Sequence, residues 1–308
     1  MRSPRSRRQV DSTSPASDSR WDTLPNVHGA DILGRSLSRP GPPDRHGNTW
    51  QYHSRSDRHS KIGSWGVAFD LLMTSSLLRR HAAEGKVVMG VNHTMTDFAT
   101  GRKKDLDLVI ARPAQEPRSD GRTFASLAEH YGVELSGSER GALAALPAVW
   151  VAPVGAVLVA LEAKACMTAH VKSLPRLYDE LNSSHLCVHG ASRQALAIAY
   201  VQVNVAESFV SPVVNNRDLR QSSPQVTHHK QPSDALRVLA KVAEIPRRSA
   251  ASENGFDAVG VTVLDLRNDG SPVAVVTAPP APAPGDNFHY GSMIVRMANE
   301  YDTMFANI

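Results

Sequence analysis

The segment VLVALEAKAC, residues 157–166, limits what this chain can become more than any other stretch. It is apolar enough to be a buried strand, yet it carries Glu162 and Lys164 two residues apart. Successive side chains of a strand point to opposite faces. The spacing therefore predicts Glu162 and Lys164 on one face and Val159, Leu161 and Ala163 on the other. A carboxylate and an ammonium taken out of water need something in return, from each other or from a bound group. The competing expectation is an edge strand that ends in two solvated charges, with Asp107 capping a turn.

Around this segment the 308 residues, 41% of them hydrophobic, supply enough apolar material for one large domain or two small ones. Residues 1–60 are rich in Ser, Arg, Pro, Asp and Gly and show no sustained hydrophobic period. That predicts a basic and polar tail, largely disordered, with a short ordered piece around Trp50 and Tyr52. The folded α/β domain is expected over 61–278. In SWGVAFDLLMTSSLLRRHAAEG, Trp65, Ala68, Phe69, Leu72 and Met73 recur at helical spacing, with Ser64 as N-cap and Gly85 as the stop.

KVVMGV and DLDLVIA, residues 105–111, read as strands joined by an exposed basic turn, and residues 113–148 as a helical insertion. The strand carrying Glu162 follows, with Pro153 and Gly155 marking a turn or bulge. MTAHVKSLPRLYDELNSSH is a helix that Pro175 kinks or delays, and AIAYVQVNV, residues 197–205, is a strand. DALRVLAKVAEI is an amphipathic helix. FDAVGVTVLDL and PVAVVTA flank the hairpin signal RNDGS. Residues 279–308 read as a Pro-rich linker and a terminal helix.

Several classes are disfavoured. No run approaches the roughly 20 apolar residues of a membrane helix, and the N-terminus lacks the apolar core of a secretory signal, so a cytoplasmic location and no membrane partner are expected. Cys166 and Cys187 are spaced for neither a disulfide framework nor a thiol-rich zinc site, and are expected to be buried, reduced thiols. His185, Cys187 and His189 supply only three local ligands, too few for a zinc site of their own. No Walker loop, dinucleotide fingerprint or G-x-S-x-G elbow is present. The net charge of +4 leans mildly towards polyanionic partners.

In order, the middle of the chain reads helix, strand, strand, insertion, strand, helix, strand. Asp107 stands near the start of the second strand and Glu162-Ala163-Lys164 near the end of the third. Over residues 64–205 this resembles the core of the PD-(D/E)xK nuclease superfamily, the restriction-endonuclease-like fold. That core has a helix, three strands, a helix and a further strand, with an Asp on the second strand and (D/E)-x-K on the third. The resemblance implies a mixed central β-sheet flanked by helices and a metal-dependent endonuclease that hydrolyses DNA phosphodiester bonds, in restriction, defence or repair. It implies Mg²⁺, or Mn²⁺ in its place, because a hard cation with oxygen ligands offsets charge developing on phosphate. Asp107 and Glu162 would be the ligands, and Lys164 would orient or deprotonate the attacking water and stabilise the transition state.

The fit leaves choices open. Leu106 stands where the family has a proline, and the insertion must absorb the long gap from Asp107 to Glu162. Asp105 shares a strand face with Asp107, which is preferred because it directly precedes Leu108-Val109-Ile110. Family members often add an acidic metal ligand from the first helix, for which Asp70 and Glu84 are candidates. Arg102, Lys103 and Lys104 beside the acidic strand, and His170 and Lys172 on the helix after the motif, are candidate nucleic-acid contacts. Glu84-Gly85-Lys86 repeats the E-x-K pattern at a helix end, where it reads as ordinary surface. RNA is the alternative substrate, a homodimer is one arrangement for cutting two strands, and a non-catalytic nucleic-acid-binding or interaction module with the same fold is the alternative function.

Overall fold

A computed structural model of the chain describes residues 26–116 and 120–308. In these residues the strands are β1 (Val88–Thr96), β2 (Lys103–Pro113), β3 (Val154–Cys166), β4 (Leu196–Asn204), β5 (Ser208–Val210), β6 (Val226–His228), β7 (Ala258–Asp265) and β8 (Ala274–Val276). Six of them build one mixed sheet in the order β1-β2-β3-β4-β7-β8, while β5 and β6 pair separately. β2 is antiparallel to both its neighbours β1 and β3, β3-β4 and β4-β7 are parallel, and β8 returns antiparallel to β7. Strands in a parallel centre are covered on both faces. β4 shows it: Leu196, Ile198 and Tyr200 enter one core, and Ala197, Ala199, Val201 and Val203 enter the other.

The helices are α1 (Gly29–Ser38), α2 (Arg58–Thr74), α3 (Ser76–Ala83), α4 (Phe124–Tyr131), α5 (Gly137–Ala145), α6 (His170–Ala191), α7 (Ser233–Ala243) and α8 (Tyr290–Met304). α2 and α8 cover one face of the sheet, with α1 packed on α2, and α6 and α7 cover the other. Hence α2, pressed between the sheet, α1 and α8, is buried along most of its length. It begins at Arg58, six residues before the expected cap at Ser64, because the stripe of Trp65, Ala68 and Leu72 continues back to Lys61. It also ends earlier than a single helix would. Ser75 accepts the Leu78 N–H at 2.9 Å and caps α3, which stops at Gly85 with φ of 67°.

From residue 26 onward the expected tail is folded. Ile32, Leu33 and Leu37 of α1 have no exposed surface, and Trp50 and Tyr52 are buried as expected. A ten-residue helix with so few apolar positions carries little signal of its own. What holds it is tertiary: the Asp70 carboxylate on α2 accepts the N–H groups of His28 and Gly29, both at 2.8 Å. A Cβ placed on Gly66 of α2 would lie 2.9 Å from the Gly29 Cα, so the two helices meet backbone to backbone. The part of the predicted tail over residues 1–25 lies outside the described residues.

The insertion is helical as expected. Its helices α4 and α5 both open with capping boxes, Thr123 with Ser126 and Ser136 with Glu139, and Phe124 stacks on Trp65. α8 is no appendage, since Met293, Ile294, Met297 and Tyr301 complete the core under the sheet. Both cysteines are buried free thiols. No helix among the described residues is long and apolar enough to cross a membrane.

Candidate active site

β2 and β3 do not stay paired. Their register runs inward from Pro113 and Val154 to Leu108 opposite Leu161, and there it ends. Beyond that point β2 continues to Lys103 beside β1 alone, and β3 continues to Cys166 beside β4 alone. A fork therefore opens in the middle of the sheet. Asp107, the residue before Leu108, and Glu162, the residue after Leu161, face each other at its apex.

Asp107 is held from two sides. Its Oδ2 accepts the Ala163 N–H at 2.9 Å, and its Oδ1 lies 3.3 Å from the Nζ of Lys61, a buried lysine in the first turn of α2. Lys61 also donates to Asn92 Oδ1. Asn92 has φ of 50°, a left-handed conformation that Asn tolerates better than most residues, at the one position where the β1-β2 register skips a pair.

Glu162 is 2% exposed on an interior strand, so the edge-strand expectation is overturned. Lys164 Nζ approaches Glu162 Oε1 at 2.7 Å and Lys104 Nζ approaches the same oxygen at 3.6 Å. Oε2 is buried and has no protein partner. Burial raises the Glu162 carboxyl above its usual range, with Lys164 pulling back and the Asp107 carboxylate adding to the rise. Lys164 also reaches Glu180 Oε2 on α6 at 3.0 Å, and Glu180 Oε1 takes Arg176 Nε at 2.6 Å. Burial opposes the Lys164 charge, but the carboxylates of Glu162 and Glu180 outweigh it and hold the ammonium protonated beyond the ordinary lysine range.

These groups sit beside an open groove of about 1150 Å³, into which Asp107 and Lys164 project. The loop before α2, the first turns of α6 and the β5-β6 pair form its walls. His59 lies there too, and burial pushes its imidazole down to about 4, against the pull of Asp107.

The remaining candidates separate. Lys104 is drawn into the site, while Arg102 and Lys103 are exposed at the β1-β2 turn and Lys172 is exposed at the groove. Asp105 accepts from Thr94 across the hairpin, away from Glu162. His170 lines the groove but is 2% exposed, with Nε2 at 2.9 Å from the Asn204 carbonyl. Asp70 is not with Asp107 and Glu162 either. Nine residues along α2 place it about 13 Å from Lys61, and its oxygens are taken by His28, Gly29 and the Tyr290 hydroxyl. Glu84 pairs with Lys86 at an exposed helix end. His185 and His189 lie on α6, with Nε2 of the first bonded to Asn182 and Nε2 of the second to the Gly255 carbonyl.

Lys61, Asn92 and Glu180 carry no sequence signal for this role except one. On α6, Glu180 falls on the face of Ser173 and Leu177, which the helical period could have turned toward β3.

Among the described residues no three His, Cys, Asp or Glu side chains gather as a ready metal site. The donors present nonetheless suit Mg²⁺, which is bound through one or two carboxylates and keeps several waters. Glu162 Oε2, buried and unpartnered beside Asp107, is the atom such an ion would satisfy. No family model matches the chain, and no curated protein or solved structure does so either.

Proposed function

We propose that the chain is a metal-dependent phosphodiester hydrolase acting on nucleic acid, with Asp107, Glu162 and Lys164 as its catalytic residues. The observation that carries this is their convergence at the β2-β3 fork, beside a groove open enough for a polymer strand. With α3 and the inserted α4 and α5 set aside, the order α2-β1-β2-β3-α6-β4, in which β2 is antiparallel to β1 and β3 and β4 is parallel to β3, agrees with the connectivity of the PD-(D/E)xK core and supports the resemblance.

Asp107 and Glu162 would hold Mg²⁺, which when bound withdraws charge from the phosphate and acidifies water. Each chain residue then has a distinct task. Lys61 and the Ala163 N–H fix the Asp107 carboxylate. Lys164, kept charged by Glu162 and Glu180, lies beside the groove where charge builds on the phosphate oxygens as water attacks phosphorus and the P–O bond to the leaving group breaks. Lys104 adds a second positive charge at Glu162.

One observation favours the other reading, a nucleic-acid-binding module that does not cut. Lys164 already neutralises Glu162 in a direct pair, which a purely structural ion pair would also do. Incubation of plasmid and linear DNA with Mg²⁺, Mn²⁺ or EDTA, using wild type, Glu162→Ala and Lys164→Ala, separates the two. Metal-dependent cutting lost in both variants supports the hydrolase. Cutting that survives both substitutions removes this site, and binding without cutting favours the module.

A further inference from the structure

The groove beside the fork carries apolar surface as well as charge. Val171, Val213 and Val214 are 50%, 57% and 43% exposed and all line it. They are three of the seven large hydrophobic side chains exposed among the described residues. Single exposed valines need no explanation, but three in one groove form a surface. Arg55, Lys172 and Arg176 line the same groove, together with Asp57, Asp234 and Glu180, the last paired with Arg176.

The valine surface is also built in advance. Val213 and Val214 occupy a turn just after β5 that is fixed from below by Asn215, which is fully buried. Asn215 Nδ2 donates to the carbonyls of Ser211 at 3.0 Å and Gln225 at 2.8 Å, and its Oδ1 accepts the Gln225 N–H at 2.7 Å. With the turn locked to the segment leading into β6, the valines cannot fold away without breaking these bonds. A ligand would meet them with little ordering left to do.

An intact duplex turns its phosphates and sugars outward and keeps its base faces stacked inside. Cationic side chains suit that surface, whereas bare valines gain nothing from it. Unpaired bases expose apolar faces next to a charged backbone, which is the mixture this groove matches. Resting on the hydrolase reading above, we infer that the groove takes a nucleic-acid strand with unpaired bases, laid against Val171, Val213 and Val214, with its phosphates toward Lys172 and Lys164. An intact duplex is the poorer ligand.

The test measures binding, not cutting. A fluorescein-labelled oligothymidylate and a blunt duplex of equal length are titrated with the full chain in EDTA, and anisotropy is followed; an oligouridylate arm separates RNA from DNA. The single strand is expected to bind about ten-fold more tightly than the duplex. Val213→Ser combined with Val214→Ser is expected to remove about that factor for the single strand and leave the duplex unchanged. Lys172→Ala should weaken both ligands and lower the salt dependence of both. Equal affinity for the two ligands overturns the inference, as does a valine variant that weakens both alike or neither, or a protein that binds no nucleic acid. A chain that cuts duplexes without preference sinks this inference and leaves the hydrolase standing. A chain that prefers single strands but never cuts does the reverse.

Discussion

The carboxylate of Asp107 accepts the backbone N–H of Ala163 at 2.9 Å, bridging the two strands just past the last pair of their ladder. Ala163 is the residue between Glu162 and Lys164, so one hydrogen bond sets the distance between both halves of the candidate site. The bond needs an acceptor and no charge. Asp107→Asn can keep it, with the amide oxygen facing Ala163, while losing the anion. Its NH2 then meets the buried Lys61 ammonium, so the variant should lose about 1–3 kcal/mol in urea unfolding and, per folded molecule, lose Mn²⁺-dependent cleavage by on the order of 100-fold. A fully active Asp107→Asn would exclude a role for its charge.

Lys61 should matter for stability before it matters for activity. Its ammonium is buried between Asp107 and Asn92, and Met in its place would leave both acceptors short of a donor. Lys61→Met is expected to cost about 1–3 kcal/mol in urea unfolding. An unchanged midpoint would mean that water replaces the lysine without penalty.

Asp70 separates structure from chemistry in the opposite sense. Its carboxylate ties the start of α1 and the Tyr290 hydroxyl to α2, far from the fork. Asp70→Asn turns one acceptor into a donor aimed at an N–H. It should destabilise the fold by about 1–3 kcal/mol and leave cleavage per folded molecule unaltered. A selective loss of cation-dependent activity in a stable Asp70→Asn protein would restore it as a metal ligand.

Two histidines, His185 buried and His59 partly buried at the groove, predict acid sensitivity. Burial pushes His59 and His185 down to about 4, from the ordinary 6.5. The unfolded chain therefore takes up protons that the folded one refuses. The stability each contributes is complete above pH 6.5 and lost as pH falls towards 4. His185 packs edge-on against Phe256, and His185→Phe keeps an aromatic ring there without the titration. Its urea midpoint should decline less steeply than wild type over that range. Parallel declines would mean that His185 is not among the groups responsible.

The part of the site legible in the sequence is the part that depends on local geometry. Glu162 and Lys164 share a face because strands alternate, and Asp107 was singled out from Asp105 by the apolar residues that follow it. Lys61 is hidden for a tertiary reason: it is an ordinary charge on its helix until that helix is laid on the sheet. Asp70 shows the converse. A lone carboxylate in an apolar helix looks the same whether it will hold a metal or cap a neighbouring helix, and only the docking of α1 decides it. His170 is similar, because being first in a helix does not say which way the ring turns. The folded stretch from residue 26 to 60 escaped composition because its few apolar residues work through contacts made far along the chain.

Those contacts also set an order of events during synthesis. The Tyr290 hydroxyl reaches Asp70 at 2.8 Å across 220 positions of sequence, in the same cluster that anchors the start of α1. While the ribosome is still translating β7, α2 can rest on a partial sheet, but its outer flank has neither α8 nor a finished Asp70 cluster. Contacts of such separation form late and are costly in chain entropy. The fork is encoded before residue 170, yet its support is complete only once residue 290 has emerged. A nascent chain would therefore carry all three candidate catalytic residues well before it could hold them in working order.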